Sequence, residues 1–329
     1  MHLELVVPGL LGAPSAVPAL ELLLARGRRA RHAGASTEDW LARAFGLEGP
    51  LPAGALSAHA LGAPAGEGHW LRADPVHLKA DRELVLLLPG ACFEIAQAEA
   101  DALCVELNRL FAPQFEVRAL APDLWALRAA QAMAADARSP LAVAGAEGGA
   151  QLPDRKLRTL LAELQMALYQ HAANTAREAR GAPVVNSVWL WGAGALPDAR
   201  QLAAPWHSLS ATDPAALGLA RLAGLRHRPP GEGAAAWLER APEDGRHLML
   251  LDLLRAAAAL GDAEALARGV QRLEARWFAP LLAALRAGRI HMLTVHVPDA
   301  GLSAETVRGD LRRFWRRPRP LDDYAGVRA

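Results

Sequence analysis

Apolar positions fall into short runs of strand length, separated by stretches with helical spacing. Leu3 to Val7 (LELVV) predicts a strand stopped by Pro8-Gly9. Pro18 to Arg29 places Leu20, Leu23 and Leu24 on one face and gathers arginines at its end, which predicts a helix. A second helix is expected over Glu38 to Phe45, with Thr37 as its cap. Residues 48–68 are rich in Gly, Pro and Ala and read as a loop and a lobe boundary. Trp70 to Lys79 and Glu83 to Leu88 predict paired strands about a turn at Ala80 to Arg82. Ala96 to Leu110 predicts a helix, and Phe115 to Leu120 and Leu124 to Leu127 predict short strands.

The clearest helical repeat runs from Lys156 to Glu178 and stops at Gly181 and Pro183. Strands are then expected at Val184 to Trp191, His247 to Leu251 and Ile290 to Val297. Helices are expected at Ala234 to Arg240 and from about Ala263 to Ala287, with an interruption near Pro280. Strands alternating with helices predict an α/β protein with a helix-covered, mostly parallel sheet. The expected division is a core of residues 1–68 and 151–329 with a small inserted α+β lobe over 69–150. A chain of 329 residues exceeds what one core usually holds, in keeping with two lobes.

Composition narrows the function classes. Apolar residues make up 52% and charged residues 22%, an ordinary globular balance. The formal net charge of +1 argues against a chain-wide electrostatic trap for nucleic acid or acidic membranes. Cys92 and Cys104 lack a metal-knuckle or CxxC spacing, so free thiols in a reducing compartment are expected, with a disulfide as the weaker alternative. No basic n-region precedes an apolar stretch and no long uncharged apolar run occurs, which predicts a cytoplasmic protein without a membrane segment.

Candidate chemistry concentrates between Glu163 and Pro197. His171, Asn174, Arg177 and Arg180 lie near a helix end, Asn186 in the following strand, and Trp189 and Trp191 on one face of it. These donors suit an anion. They suit equally a packing role, with the Asn side chains bonding local backbone. A second cluster, Arg72, Asp74, His77 and Arg82, lies in the inserted lobe, where alternation puts Arg72 and Asp74 on one side and His77 on the other. Asp74-Pro75 also reads as a turn starter.

The arrangement His171-x-x-Asn174-x-x-Arg177, Arg180-Gly181, Asn186, Trp191-Gly192-x-Gly194 resembles a motif of the archaeal-type cofactor-independent phosphoglycerate mutases. It is more similar to a bacterial phosphoglycerate mutase-related group described as regulatory proteins of the RpfE type, as are His69 to Arg82 and Ala263 to Arg289. The resemblance implies an alkaline-phosphatase-like fold with an inserted substrate lobe. In active members two divalent metals, held by Asp and His, activate a serine and screen the phosphoryl charge. Those members place Asp-Gly after the first strand; here the chain reads Pro8-Gly9. Asp252, His296 and Asp299 are the remnant metal-ligand candidates, at spacings that depart from the pattern, and no serine sits in the expected loop, Ser57 being the nearest candidate.

The expectation is therefore a non-catalytic, phosphoglycerate-mutase-like regulatory or ligand-binding protein that needs no cofactor and binds a small phosphorylated ligand or a protein partner. One alternative is a mutase or phosphatase with an unusual ligand set holding Mn or Zn. A second is a nucleic-acid-associated protein using the tail Arg308 to Arg319, which carries six arginines around Phe314 and Trp315. The simpler expectation for that tail is an amphipathic helix with its aromatics docked and its arginines in water.

Overall fold

The computed structural model describes the chain except residues 13–15, 64–67, 82–83, 134, 137, 145–154, 242–243 and 326–329. In chain order the strands are β1 (His2–Val6), β2 (Arg28–Arg31), β3 (His69–Asp81), β4 (Leu84–Pro89), β5 (Phe115–Ala121) and β6 (Leu124–Ala129). They continue with β7 (Ser187–Gly194), β8 (Ser208–Ser210), β9 (Arg226–Arg228), β10 (Arg246–Leu250), β11 (Met292–Val297) and β12 (Leu302–Val307). The chain forms two compact units, Met1–Gly46 with Leu202–Ala329, and Leu47–Gln201.

The first unit is built on a seven-stranded sheet in the order β2-β12-β11-β1-β10-β8-β9. The strands from β11 to β9 run parallel, while β12 and β2 are antiparallel additions at one edge. Alternation along β1 explains its place in the sheet. Leu3 and Leu5 enter a core shared with Leu293 and Val295 of β11, and Glu4 faces the other way. That core is closed by the helices Pro18–Arg26, Ala234–Arg240, Ala263–Leu273 and Ala279–Ala287. Pro280 does not break the long helix, because a π-turn at Glu274–Phe278 precedes it and its missing N–H falls in the first turn of Ala279–Ala287. The Glu274 carboxylate accepts from the Ala19 and Leu20 amides at 2.7 and 3.1 Å, supplying the N-terminal cap that helix Pro18–Arg26 lacks in its own sequence.

The second unit is an antiparallel sheet, β4-β3-β6-β5, with β7 also paired to β3. Helices Gln97–Phe111 and Arg155–Tyr169 contribute Leu103, Leu107, Leu164 and Leu168 to its core. Its limits differ from the expected 69–150. Strand β7 hydrogen-bonds to β3 rather than to the parallel sheet, and the helix before it packs on Gln97–Phe111.

Local departures have physical causes. The stretch 48–68 contains a helix, Ala53–Ala60. Its small residues permit close packing: a Cβ on Gly54 would lie 2.5 Å from the Leu71 backbone. The expected helix 156–178 is two helices, Arg155–Tyr169 and Ala172–Ala179, and His171 Nδ1 caps the second by accepting from the Ala173 amide at 3.2 Å. Ser36, not Thr37, caps helix Thr37–Ala44, accepting from the Asp39 amide at 3.0 Å. Asp74-Pro75 is no turn; both residues lie within β3, with Pro75 opposite Val188. The tail forms only a 3₁₀ turn, Arg308–Arg312, and then irregular chain, with Phe314 and Trp315 exposed. Both cysteines are free, and burial pushes the Cys104 thiol up to about 12. Among the described residues no helix is long and apolar enough to cross a membrane.

Candidate functional site

The motif residues between His171 and Trp191 meet one another and the backbone around them. Asn174, buried where the two helices meet, donates to the Leu168 and Val185 carbonyls at 2.8 Å each and accepts from the Val185 amide at 2.9 Å. Arg177 is fully buried; it donates to the Pro183 and Glu94 carbonyls and to Glu99, each at 2.7 Å. Asn186 forms a two-way pair with the Leu78 backbone at 2.8 Å, in the manner of one more strand residue. His77 Nδ1 donates to the Val184 carbonyl at 3.0 Å, and Trp189 Nε1 to the Arg138 carbonyl at 3.0 Å. These residues therefore fasten helix Ala172–Ala179 to β3 and β7, and their polar groups are engaged inside the protein.

Arg72, Asp74 and Trp191 form the second buried set, on one side of β3 as alternation predicts. Arg72 Nε donates to Asp74 at 2.9 Å, Trp191 Nε1 donates to the other Asp74 oxygen at 2.7 Å, and the guanidinium lies 5.2 Å from the Trp191 ring centroid. Arg72 Nη1 also reaches Ser57 at 3.3 Å. Hence Ser57, fully buried against an arginine, is not an accessible nucleophile. Arg82 lies outside the described residues.

The carboxyl edge of the parallel sheet is where open α/β sheets place their ligands. There the residues after β8 and β10 meet helix Thr37–Ala44. Arg255 donates to Glu38 at 2.5 Å and lies 3.7 Å from Asp213, with both Arg255 and Glu38 largely buried. Asp252 accepts from the Thr212 hydroxyl at 2.9 and 3.1 Å. Burial first, and then the Asp213 charge, push the Asp252 carboxyl up, against the pull of Thr212 and Arg255. Beside it opens a cavity of ≈ 310 Å³ lined by Thr212, Asp252, Trp277 and the exposed Arg272 and Arg276.

The three remnant candidates do not converge. Asp299 accepts from the Gly9 amide at 3.0 Å, so its carboxylate orders the turn after β1. His296 lies on the open face of the sheet, 3.4 Å from Glu4 and 5.1 Å from the Trp40 ring. Burial would raise the Glu4 carboxyl, but hydrogen bonds from His296, Arg246 and Trp206 outweigh it and hold it at about 2. Glu4, His296, Trp40 and Trp206 line a cavity of ≈ 410 Å³ on that face.

The residues present do not fit a two-metal centre. Among the described residues no group of three His, Cys, Asp or Glu side chains is arranged to hold a metal ion. The carboxylates that do gather, Glu38, Asp213 and Asp252, surround a guanidinium. The Pro8 side chain that follows β1 offers no donor. Sequence reasoning missed Arg255, Glu38, Asp213 and Glu4. The available signal was Thr212-Asp213-Pro214 as a helix start, and a lone charge inside the apolar run LELVV.

No protein-family model matches the chain, and no curated protein matches it by sequence. Among solved structures it is similar to the PH0037 protein from Pyrococcus horikoshii at a TM-score of 0.55 and 15% identity, over 98% of this chain and 91% of that one. A cofactor-independent phosphoglycerate mutase from Thermoplasma acidophilum superposes at a TM-score of 0.39 and 16% identity, over 94% of this chain and 90% of that one. The first likeness shows a shared fold; the second superposition is too loose to define one.

Proposed function

We propose that this chain is a non-catalytic protein of phosphoglycerate-mutase type, on an alkaline-phosphatase-like frame, that binds a small phosphorylated ligand in a regulatory role. One observation carries the reading: the Arg255 guanidinium lies among Glu38, Asp213 and Asp252 at the sheet's carboxyl edge. A fixed, permanently protonated side chain there supplies the positive charge that active mutases draw from divalent ions. It cannot exchange its coordination with a phosphoryl oxygen as a metal does. The motif resemblance supports the frame.

The ligand site of this reading is the neighbouring cavity of ≈ 310 Å³, large enough for a small phosphate ester. Arg272 and Arg276 at its wall provide forked donors for a phosphate, and the Trp277 ring provides an apolar wall. This moves the expected anion site away from Arg72, Asn174 and Arg177, whose donors are engaged internally, and from His171, whose Nδ1 accepts from the Ala173 amide as a helix cap.

Thermal unfolding with 3-phosphoglycerate and with inorganic phosphate tests the reading, since a ligand that binds only the folded state raises the transition. A rise with the wild type that is lost in R272A/R276A is expected. No rise with any phosphate at millimolar ligand contradicts the site. Conversion of 3-phosphoglycerate to its 2-isomer in the presence of Mn contradicts the non-catalytic assignment.

A further inference from the structure

The edge of the seven-stranded sheet carries a feature that the phosphorylated-ligand reading does not use. Strand β2 has the sequence Arg-Arg-Ala-Arg, and all four residues are exposed. The tail folds back along it. Arg313 Nη1 donates to the Arg26 carbonyl at 3.1 Å and Arg316 Nη1 to the Gly27 carbonyl at 3.0 Å. From the strand side, Arg31 donates to the Ala300 carbonyl at 3.2 Å and to the Tyr324 carbonyl, and the Arg29 guanidinium lies over the Tyr324 ring. The result is a concavity of ≈ 440 Å³ lined by Arg28, Arg29, Arg31, Arg316 and Leu302. Carbonyl partners fix Arg31 and Arg316, the Tyr324 ring seats Arg29, and all of these contacts leave the charge in place. Among the described residues none of the four arginines forms an ion pair with a carboxylate; Glu305, opposite Arg28 in register, forms none either.

The aromatic residues that precede Arg316 in the chain reverse the simple expectation for the tail. Phe314 and Trp315 are 77% and 66% exposed and meet edge to face at 5.3 Å, one peptide bond from Arg316. Guarding a sheet edge against strand addition needs charge. It does not need an exposed Phe–Trp pair. Guanidiniums gathered in a concavity together with aromatic faces open to solvent are the two halves of single-strand recognition: the forks meet successive phosphates and the rings take unstacked bases. A duplex keeps its bases stacked away from such rings. An anionic bilayer surface meets protruding basic groups more readily than groups lining a hollow.

We propose that β2 and the Arg313–Arg319 tail form a binding site for single-stranded nucleic acid, separate from the carboxyl-edge cavity. The net charge of +1 makes the attraction local to this edge and therefore steeply dependent on salt.

Fluorescence anisotropy of the full chain with a labelled oligothymidylate or oligouridylate of about 15 nucleotides tests this. With four phosphates neutralised on a single strand, affinity is expected to fall about fiftyfold between roughly 50 and 200 mM salt. Substitution R28E/R316E should weaken binding and flatten that slope. F314A/W315A should weaken binding about tenfold or more while leaving the slope unchanged, and bound oligonucleotide should quench tryptophan emission in the wild type but not in that variant. Both aromatics are exposed, so this variant keeps the test decisive even where the arginine variant fails to fold. Absence of binding at low salt overturns the proposal. So does equally tight binding of duplex or inorganic polyphosphate with no effect of F314A/W315A, which would mark a plain polyanion trap. The phosphate-ester test at Arg272 and Arg276 uses other residues, so either site can fail without the other.

Discussion

Arg255 meets Glu38 at 2.5 Å in a largely buried ion pair that joins the residue opening the helix after β10 to the first turn of helix Thr37–Ala44. Asp213 lies 3.7 Å from the same guanidinium and Asp252 adds to its field, so one cation holds three acidic side chains together. Removing one member of such a buried set leaves the others uncompensated, at a cost usually larger than the net value of the pair.

R255A should therefore destabilise the protein by about 3 kcal/mol or more, measured by urea unfolding. With the guanidinium gone, Glu38, Asp213 and Asp252 become a bare acidic cluster. Added divalent cation should then raise the melting temperature of R255A and leave that of the wild type unchanged. Equal responses in the two proteins contradict the role given to Arg255.

Asp74 is predicted to matter for folding and not for ligand binding. D74A strands the buried Arg72 guanidinium and the Trp191 N–H together. A loss of about 3–5 kcal/mol is expected in equilibrium unfolding. The thermal response to phosphates, measured where the variant remains folded, should match wild type. A stable D74A that has lost its phosphate response would return this cluster to the list of ligand sites.

Asn174 makes three backbone hydrogen bonds from a buried position. N174A leaves those backbone groups without partners, and about 2–3 kcal/mol of destabilisation should follow, read from the urea midpoint. A neutral N174A would contradict the structural reading of the His171–Arg177 motif.

The Glu4 carboxyl is held at about 2, below its ordinary value of 4.5. A depressed carboxyl contributes stability that is present above the unfolded value and lost as pH falls through the folded one. Wild-type stability should therefore decline between pH 4.5 and about 2, and E4Q should show a shallower decline across that window. Parallel pH profiles for the two proteins contradict the assignment.

The central strands were legible because their apolar runs are long and bounded. LELVV, HLMLL and IHMLTVHV overlap β1, β10 and β11, each to within two residues, and the α/β class follows from them. Strands β2, β8 and β9 were not legible: Arg-Arg-Ala-Arg has no apolar face, and the other two span three residues each. Helix Ala53–Ala60 read as loop because residues small enough for close packing are also residues common in loops. The motif residues were found by sequence, but whether they served a ligand or the backbone depended on contacts between distant segments. Leu78 with Asn186 and Glu99 with Arg177 are such contacts. Arg255 gave no local signal, since its partners lie 217 and 42 residues away in sequence.

The most direct test of the account is metal stoichiometry: elemental analysis of the full chain after equilibration with Mn and Zn and removal of excess ion. No tightly held divalent ion is expected, because the acidic side chains at the sheet's carboxyl edge are already compensated by Arg255. Retention of two ions per chain, with loss on substituting Asp252 or Asp299, would contradict it.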